Sequence, residues 1–143
     1  MAEVLNSVFS TFSIGDFNND GILDFAVEET PFIEVLLGNG NGTFTSKGSF
    51  SEGTASNFPF VPSLLLADFN GDGVLDVAAP DGFAESVSLL LGNGDGTLRP
   101  TQLFAGALSD SAVAVNVAGF QPGIAMATRD STIRFIKNST PSR

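Results

Sequence analysis

The sequence predicts an all-β fold made of four-stranded antiparallel units, and three observations predict it. A nine-residue acidic segment occurs twice, as DFNNDGILD at residues 16–24 and DFNGDGVLD at residues 68–76. A glycine-rich turn follows each copy, as LLGNGNGTF at residues 36–44 and LLGNGDGTL at residues 90–98. Short apolar runs lie between these motifs, and nowhere is apolar spacing of three and four residues sustained long enough for a helix.

The repeat fixes the order of the elements. The acidic segments begin 52 residues apart and the turns 54 residues apart. The two extra residues fall between the motifs, where EETPF in the first copy faces PDGFAES in the second. Insertions gather in loops, so this stretch is expected at an exposed hairpin tip. Residues 12–15 and 63–67 are expected as first strands, 22–27 and 74–79 as second, and 33–37 and 87–91 as third. Fourth strands are expected near 44–50 and 98–104, after Asn-Gly turns that suit the positive backbone angles of tight hairpins.

An eroded third copy follows at residues 113–128, VAVNVAGFQPGIAMAT, with Gly119-Phe120 standing 51 residues after Asp68-Phe69. TIRFIK then stands where VSLLLG stood. The acidic side chains are gone, so this copy is expected to bind no metal. The chain thus reads as one repeat domain over 1–143, with units at 7–55, 56–108 and 109–143. The last unit is incomplete, and residues 4–9 are expected to supply its missing strand, in the same chain or in another. Four antiparallel strands recurring at this period make the blade of a β-propeller. At about 2.75 repeats the chain is too short to close a ring. It is expected as a partial propeller or as a ring completed by homo-oligomerisation, since unpaired blades expose apolar faces and strand edges.

The acidic segment has the donor spacing of a calcium loop. Oxygen-bearing side chains stand at positions one, three, five and nine, with glycine at six for the sharp turn. The expected ligands are the side chains of Asp16, Asn18, Asp20 and Asp24 with the Ile22 carbonyl. In the second copy they are Asp68, Asn70, Asp72 and Asp76 with the Val74 carbonyl. Two Ca²⁺ per chain would therefore be structural. An EF-hand is excluded, because position twelve is Val27 or Ala79 where that motif needs a bidentate Glu. Phe17, Phe69 and Phe120 share loop position two in all three copies, including the metal-free one, and are expected to pack. Glu28, Glu29, Asp81 and Glu85 are expected as solvated tips, and residues 51–63 as a connector whose Phe58-Pro59-Phe60 packs over a blade junction or else forms part of a ligand surface.

GDFNNDGILDFAV with LLGNGNGTF, and ADFNGDGVLDVAA with LLGNGDGTL, resemble the FG-GAP/VCBS-type repeats of integrin-α-like propellers and bacterial surface proteins. The likeness is close over residues 12–105 and faint over 112–137. It implies calcium in the loop between the first two strands of a blade, and a disc of six or seven blades.

Composition narrows the function. Sixteen acidic against six basic residues give a net charge of −10, which disfavours nucleic acid and anionic membranes. The absence of His and Cys removes imidazole catalysis, thiolate nucleophiles, disulfides and zinc sites of the usual kind. No apolar run is long enough to span a bilayer, and the N-terminus has no signal-peptide pattern. Calcium loops of millimolar affinity nevertheless suit a secreted or cell-surface setting. The expected function is a non-enzymatic, calcium-binding module for adhesion or recognition of a protein or glycan ligand. Two alternatives stand beside it: a carbohydrate-binding propeller, which the lack of Trp and Tyr weakens, and an inert portion of a larger propeller.

Overall fold

The computed structural model describes residues 11–29, 31–53, 63–81, 86–99, 102–105, 111–115, 122–127 and 132–137. Within them the fold is all-β, with three antiparallel sheets in chain order and no helix. The first sheet runs β1 (Thr11–Gly15), β2 (Asp24–Glu29), β3 (Phe32–Gly38) and β4 (Phe44–Ser51), each strand paired with the next. The second repeats this order with β5 (Leu65–Ala67), β6 (Asp76–Asp81), β7 (Ser86–Leu90) and β8 (Gln102–Ala105). The third holds β9 (Ser111–Val115), β10 (Gly123–Ala127) and β11 (Ile133–Lys137), with β10 in the middle. These are propeller-type blades, and no sheet closes on itself into a barrel.

Strand positions follow the sequence closely, with one instructive shift. The second strand of each blade begins at the last residue of the acidic segment, Asp24 or Asp76, two residues later than the apolar pattern suggested. Those aspartates pair directly with Gly15 and Ala67 across the hairpin, so the loop between them spans eight residues. The last strand of blade two is also shorter than expected, with Leu98 making an isolated bridge to Gly92 before β8. Gly119-Phe120, Phe58, Phe60, Glu85 and residues 4–9 lie outside the described residues.

Alternation of side chains gives each blade two faces, and successive blades stack face to face. Blade one turns Phe17, Ala26, Ile33, Val35, Leu37 and Phe50 toward blade two, which answers with Leu64, Leu66, Val77, Ala79 and Leu90. The other face of blade two presents Phe69, Ala78, Val87, Leu89 and Phe104 to Ala112, Ala114, Ile124 and Met126 of blade three. First strands lie side by side, β1 next to β5 and β5 next to β9. Seam bonds fix the stacking: Ser13 Oγ donates to Leu64 O at 2.6 Å, Ser88 Oγ to Glu52 O at 2.6 Å, and Gly96 N to Phe17 O at 3.2 Å. Phe17 and Phe69 are each 2% exposed, so their recurrence reflects packing, as expected.

One expectation is overturned. Glu28 and Asp81 are not solvated tips: both are strand residues and both are buried. Glu28 shares the face of Ala26, and Asp81 shares the face of Ala79 and pairs with Ser86, so both point into the first seam. Glu52, just beyond β4, is buried with them, and neither its Oε1 nor Ser86 Oγ has a hydrogen-bond partner among the described residues. The seam is therefore apolar at its loop end and acidic at the other. Burial, reinforced by the charges of Glu28 and Asp81, pushes the Glu52 carboxyl up from 4.5 to about 7.

A buried carboxyl whose folded pKa is raised holds a proton that the unfolded chain releases. The contribution of Glu52 to stability therefore falls as pH rises from about 4.5 through about 7. Glu52→Gln is expected to leave the melting temperature unchanged below that window and to raise it above. Thermal melts of both proteins across pH check this, and parallel curves would contradict it.

Candidate metal centre

The two acidic loops are built alike from short-range hydrogen bonds. In the first, Asp16 Oδ1 accepts from Asp20 N at 3.1 Å and Oδ2 from Gly21 N at 2.8 Å. Asn18 Oδ1 accepts from Asp20 N at 3.2 Å, and Asp20 Oδ1 from Ile22 N at 2.8 Å. In the second, Asp68 Oδ1 accepts from Gly71 N at 2.6 Å and Asp72 N at 3.0 Å, and Oδ2 from Gly73 N at 2.8 Å. Asn70 Oδ1 accepts from Asp72 N at 2.8 Å, and Asp72 Oδ1 from Val74 N at 3.0 Å. Side chains of Asx type bonding their own backbone two to five residues on wind the chain into a tight coil. Positions four and six take the left-handed conformation the coil requires. Asn19 (φ 58°) and Gly21 (φ 83°) supply it in one loop, Gly71 (φ 79°) and Gly73 (φ 84°) in the other.

Positions one, three and five are thereby gathered. Asn18 Nδ2 donates to Asp20 Oδ2, and Asn70 Nδ2 to Asp72 Oδ2, both at 2.8 Å. Ile22 and Val74 are half-buried, with side chains against the glycines of the neighbouring turn, Gly40 and Gly94.

Position nine behaves differently. Asp24 is fully buried, and its carboxylate accepts from Phe17 N at 2.7 Å and from Gly38 N at 2.8 Å. Asp76 does the same with Phe69 N at 2.8 Å and Gly92 N at 2.9 Å. This residue ties the acidic loop to the glycine-rich turn, which explains why the two motifs recur together. Gly38 and Gly92 must be glycine, because a Cβ at either would collide with the carbonyl oxygen of Leu23 or Leu75. The turns are themselves matched: Asn39 N bonds Thr43 O at 2.9 Å and Asn93 N bonds Thr97 O at 3.0 Å. Asn41 Oδ1 and Asp95 Oδ1 accept from the N–H and hydroxyl of Thr43 and Thr97.

Residues 16–79, from the first aspartate of one loop through most of the second blade's β6, match the family described as an FG-GAP-like repeat. That stretch of the chain is similar to an FG-GAP-like repeat. No curated protein and no solved structure matches the chain.

Whether the two loops suit a cation turns on their donors. Every candidate donor is oxygen, the ligand type hard cations take. Among the described residues no three acidic side chains already form a closed metal cage. The pieces of one are present: three side-chain oxygens gathered by the coil, and beneath them a carboxylate with spare lone pairs, since its two oxygens carry about four acceptor sites against two N–H donors. The charges of the second loop also act on one another. Burial raises the Asp76 carboxyl to about 6 against the pull of the Gly92 and Phe69 N–H groups, and the carboxylates of Asp72 and Asp68 add to the rise. A cation in the loop would offset that repulsion. The donor set therefore fits Ca²⁺. The two loops differ in one respect. Arg99 reaches Asp72 Oδ2 at 3.2 Å and also donates to Gly92 O at 3.2 Å, whereas the matching position of the first blade is Thr45.

Two predictions test this centre. Asp76→Ala leaves two buried N–H groups without an acceptor and is expected to cost about 2–6 kcal/mol of stability, at roughly 1–3 kcal/mol for each. Chemical denaturation with calcium chelated isolates that structural effect. Because the Arg99 guanidinium would compete with a cation for Asp72, Arg99→Gln is expected to tighten any calcium binding at the second loop several-fold and leave the first loop unchanged. Calorimetric titration reads both.

Proposed function

We propose that this chain is a propeller repeat module of the FG-GAP-like kind, non-enzymatic and serving recognition, whose blades are fastened by two calcium ions. The observation that carries the reading is the duplication itself. Two loops 52 residues apart keep every oxygen donor, and both wind those donors into the same hydrogen-bonded coil. Asp16, Asn18 and Asp20 with the Ile22 carbonyl would hold one ion over Asp24. Asp68, Asn70 and Asp72 with the Val74 carbonyl would hold the other over Asp76. Calcium would neutralise the crowded carboxylates and lock the coil to the buried aspartate, and through it to the glycine-rich turn. No reaction is assigned to it.

The chemistry of the chain supports a binding role over a catalytic one. It carries no His or Cys. The buried acids at the far end of the first seam face a packed interior rather than a solvent-open cleft. Partner contacts, to a protein or a glycan, fall to the loops that differ between repeats. A net charge of −10 directs recognition away from nucleic acid. Among the described residues no helix is long and apolar enough to cross a membrane. A calcium-rich extracellular setting would keep such loops filled, since extracellular modules of this kind bind at about 10⁻⁴–10⁻³ M.

Calorimetry is expected to find two calcium ions per chain, and thermal melting in calcium to exceed melting in chelator. At about a hundredfold excess over Kd each site adds roughly 2.7 kcal/mol. Asp20→Ala with Asp72→Ala should abolish both the heat and the shift while leaving the chelated melt nearly in place. Identical melts with and without calcium would defeat the reading.

A further inference from the structure

The stack of blades ends in two apolar faces that nothing among the described residues covers. Blade one exposes Phe12 (58%), Ile14 (49%) and Phe44 (44%), linked through Phe25: the Phe12 and Phe25 rings lie 5.8 Å apart and those of Phe25 and Phe44 4.9 Å apart. Blade three exposes Ile133 (80%), Val113 (52%) and Phe135 (48%) on its far side. Contiguous apolar surface of this kind marks an interaction site.

Repeat equivalence identifies what each face fits. Aligning Asp24 with Asp76 places Phe12, Ile14, Phe25, Val27 and Leu36 at the positions of Leu64, Leu66, Val77, Ala79 and Leu90. Those five residues of blade two are the ones that receive blade one. The free face of blade one is therefore a receiving face. Aligning β10 with β6 places Ala125, Phe135 and Ile133 at the positions of Ala78, Leu89 and Val87. Those are the residues with which blade two meets blade three, and their counterparts Ala26, Val35 and Ile33 are the ones with which blade one meets blade two. The free face of blade three is therefore an inserting face. One chain carries both halves of a contact it already makes twice.

We infer that a second copy of this chain docks head to tail, the Val113/Ile133/Phe135 face of one copy packing on the Phe12/Ile14/Phe44 face of the next. The contact is heterologous, so it closes into a ring or extends into a filament according to the rotation per copy. With the three sheets that the described residues of each copy hold, a two-copy ring would carry six such blades. The inference rests on the blade faces and not on calcium, so it can fail while the calcium reading stands, and the reverse.

The full chain is measured by light scattering over a concentration series. The expected mass is a whole multiple of the chain, two for the closed ring. Phe12→Asp with Phe44→Asp disables the receiving face, and Phe135→Asp the inserting face. Each is expected to weaken association by at least about tenfold, because a charge is placed in a desolvated contact. A mixture of the two should regain association through the one intact junction, which a symmetric face-to-face dimer would not do. Circular dichroism melts confirm that each variant folds. Since the chain has no cysteine, Ala125→Cys gives a single thiol that is expected to react slowly in concentrated protein and faster on dilution. A single-chain mass at high concentration, with the Ala125→Cys thiol reacting at one rate throughout, overturns the inference. So does an oligomer whose mass the Phe135→Asp substitution leaves intact.

Discussion

A buried aspartate accepting two backbone N–H groups is the constraint on which each complete blade depends. Asp24 and Asp76 sit where the acidic loop, the start of the second strand and the glycine-rich turn converge. Without that carboxylate the N–H groups of Phe17 and Gly38, or of Phe69 and Gly92, would be sealed from water with no acceptor. The same bond holds the backbone of Phe17 or Phe69, whose ring then fills the seam. One residue thus couples loop shape to blade packing. A cation above the carboxylate would reinforce a connection that the protein already makes.

This coupling separates an internal role from a surface one within a single motif. Positions one, three and five lie at the rim of the coil, where their polar groups reach solvent. Position nine lies beneath, where its work is internal. The third blade has neither the acidic side chains nor the aspartate, yet β10 still pairs with β9 and β11 and packs Ile124 and Met126 against blade two. Among the described residues a blade therefore forms and stacks without an acidic loop, and the polar staple belongs to the blades that carry the glycine-rich turn.

Much of the fold was legible in the sequence because it is written as a repeat. The strands, their antiparallel order, the hairpin turns and the packing role of Phe17 and Phe69 all follow from motif spacing and alternation. The tight coil of the acidic loops was legible too, since Asx residues and glycines act locally. What escaped was tertiary. Glu28 and Asp81 read as solvated tips because they are charged and border a variable stretch. Their burial depends on which face of which blade they share, and period-two alternation from Ala26 and Ala79 carried that information once the blade faces were known. The dual bonding of Asp24 and Asp76 escaped for a related reason. A carboxylate at a ligand position suggests a ligand, and its distant N–H partner at Gly38 or Gly92 appears only when the turn folds back.

The span of the staple has a kinetic consequence. Asp24 reaches 14 residues along the chain to Gly38, and Asp76 reaches 16 to Gly92. Neighbouring strands in each sheet are also neighbours in sequence. Topologies rich in such short-range contacts fold faster than sheets stitched from distant strands. Each blade can thus form its hairpins and secure its loop before any other blade exists, leaving docking between blades as the late event. On a ribosome, where the first blade emerges well ahead of the third, that order would let the protein assemble as it is made.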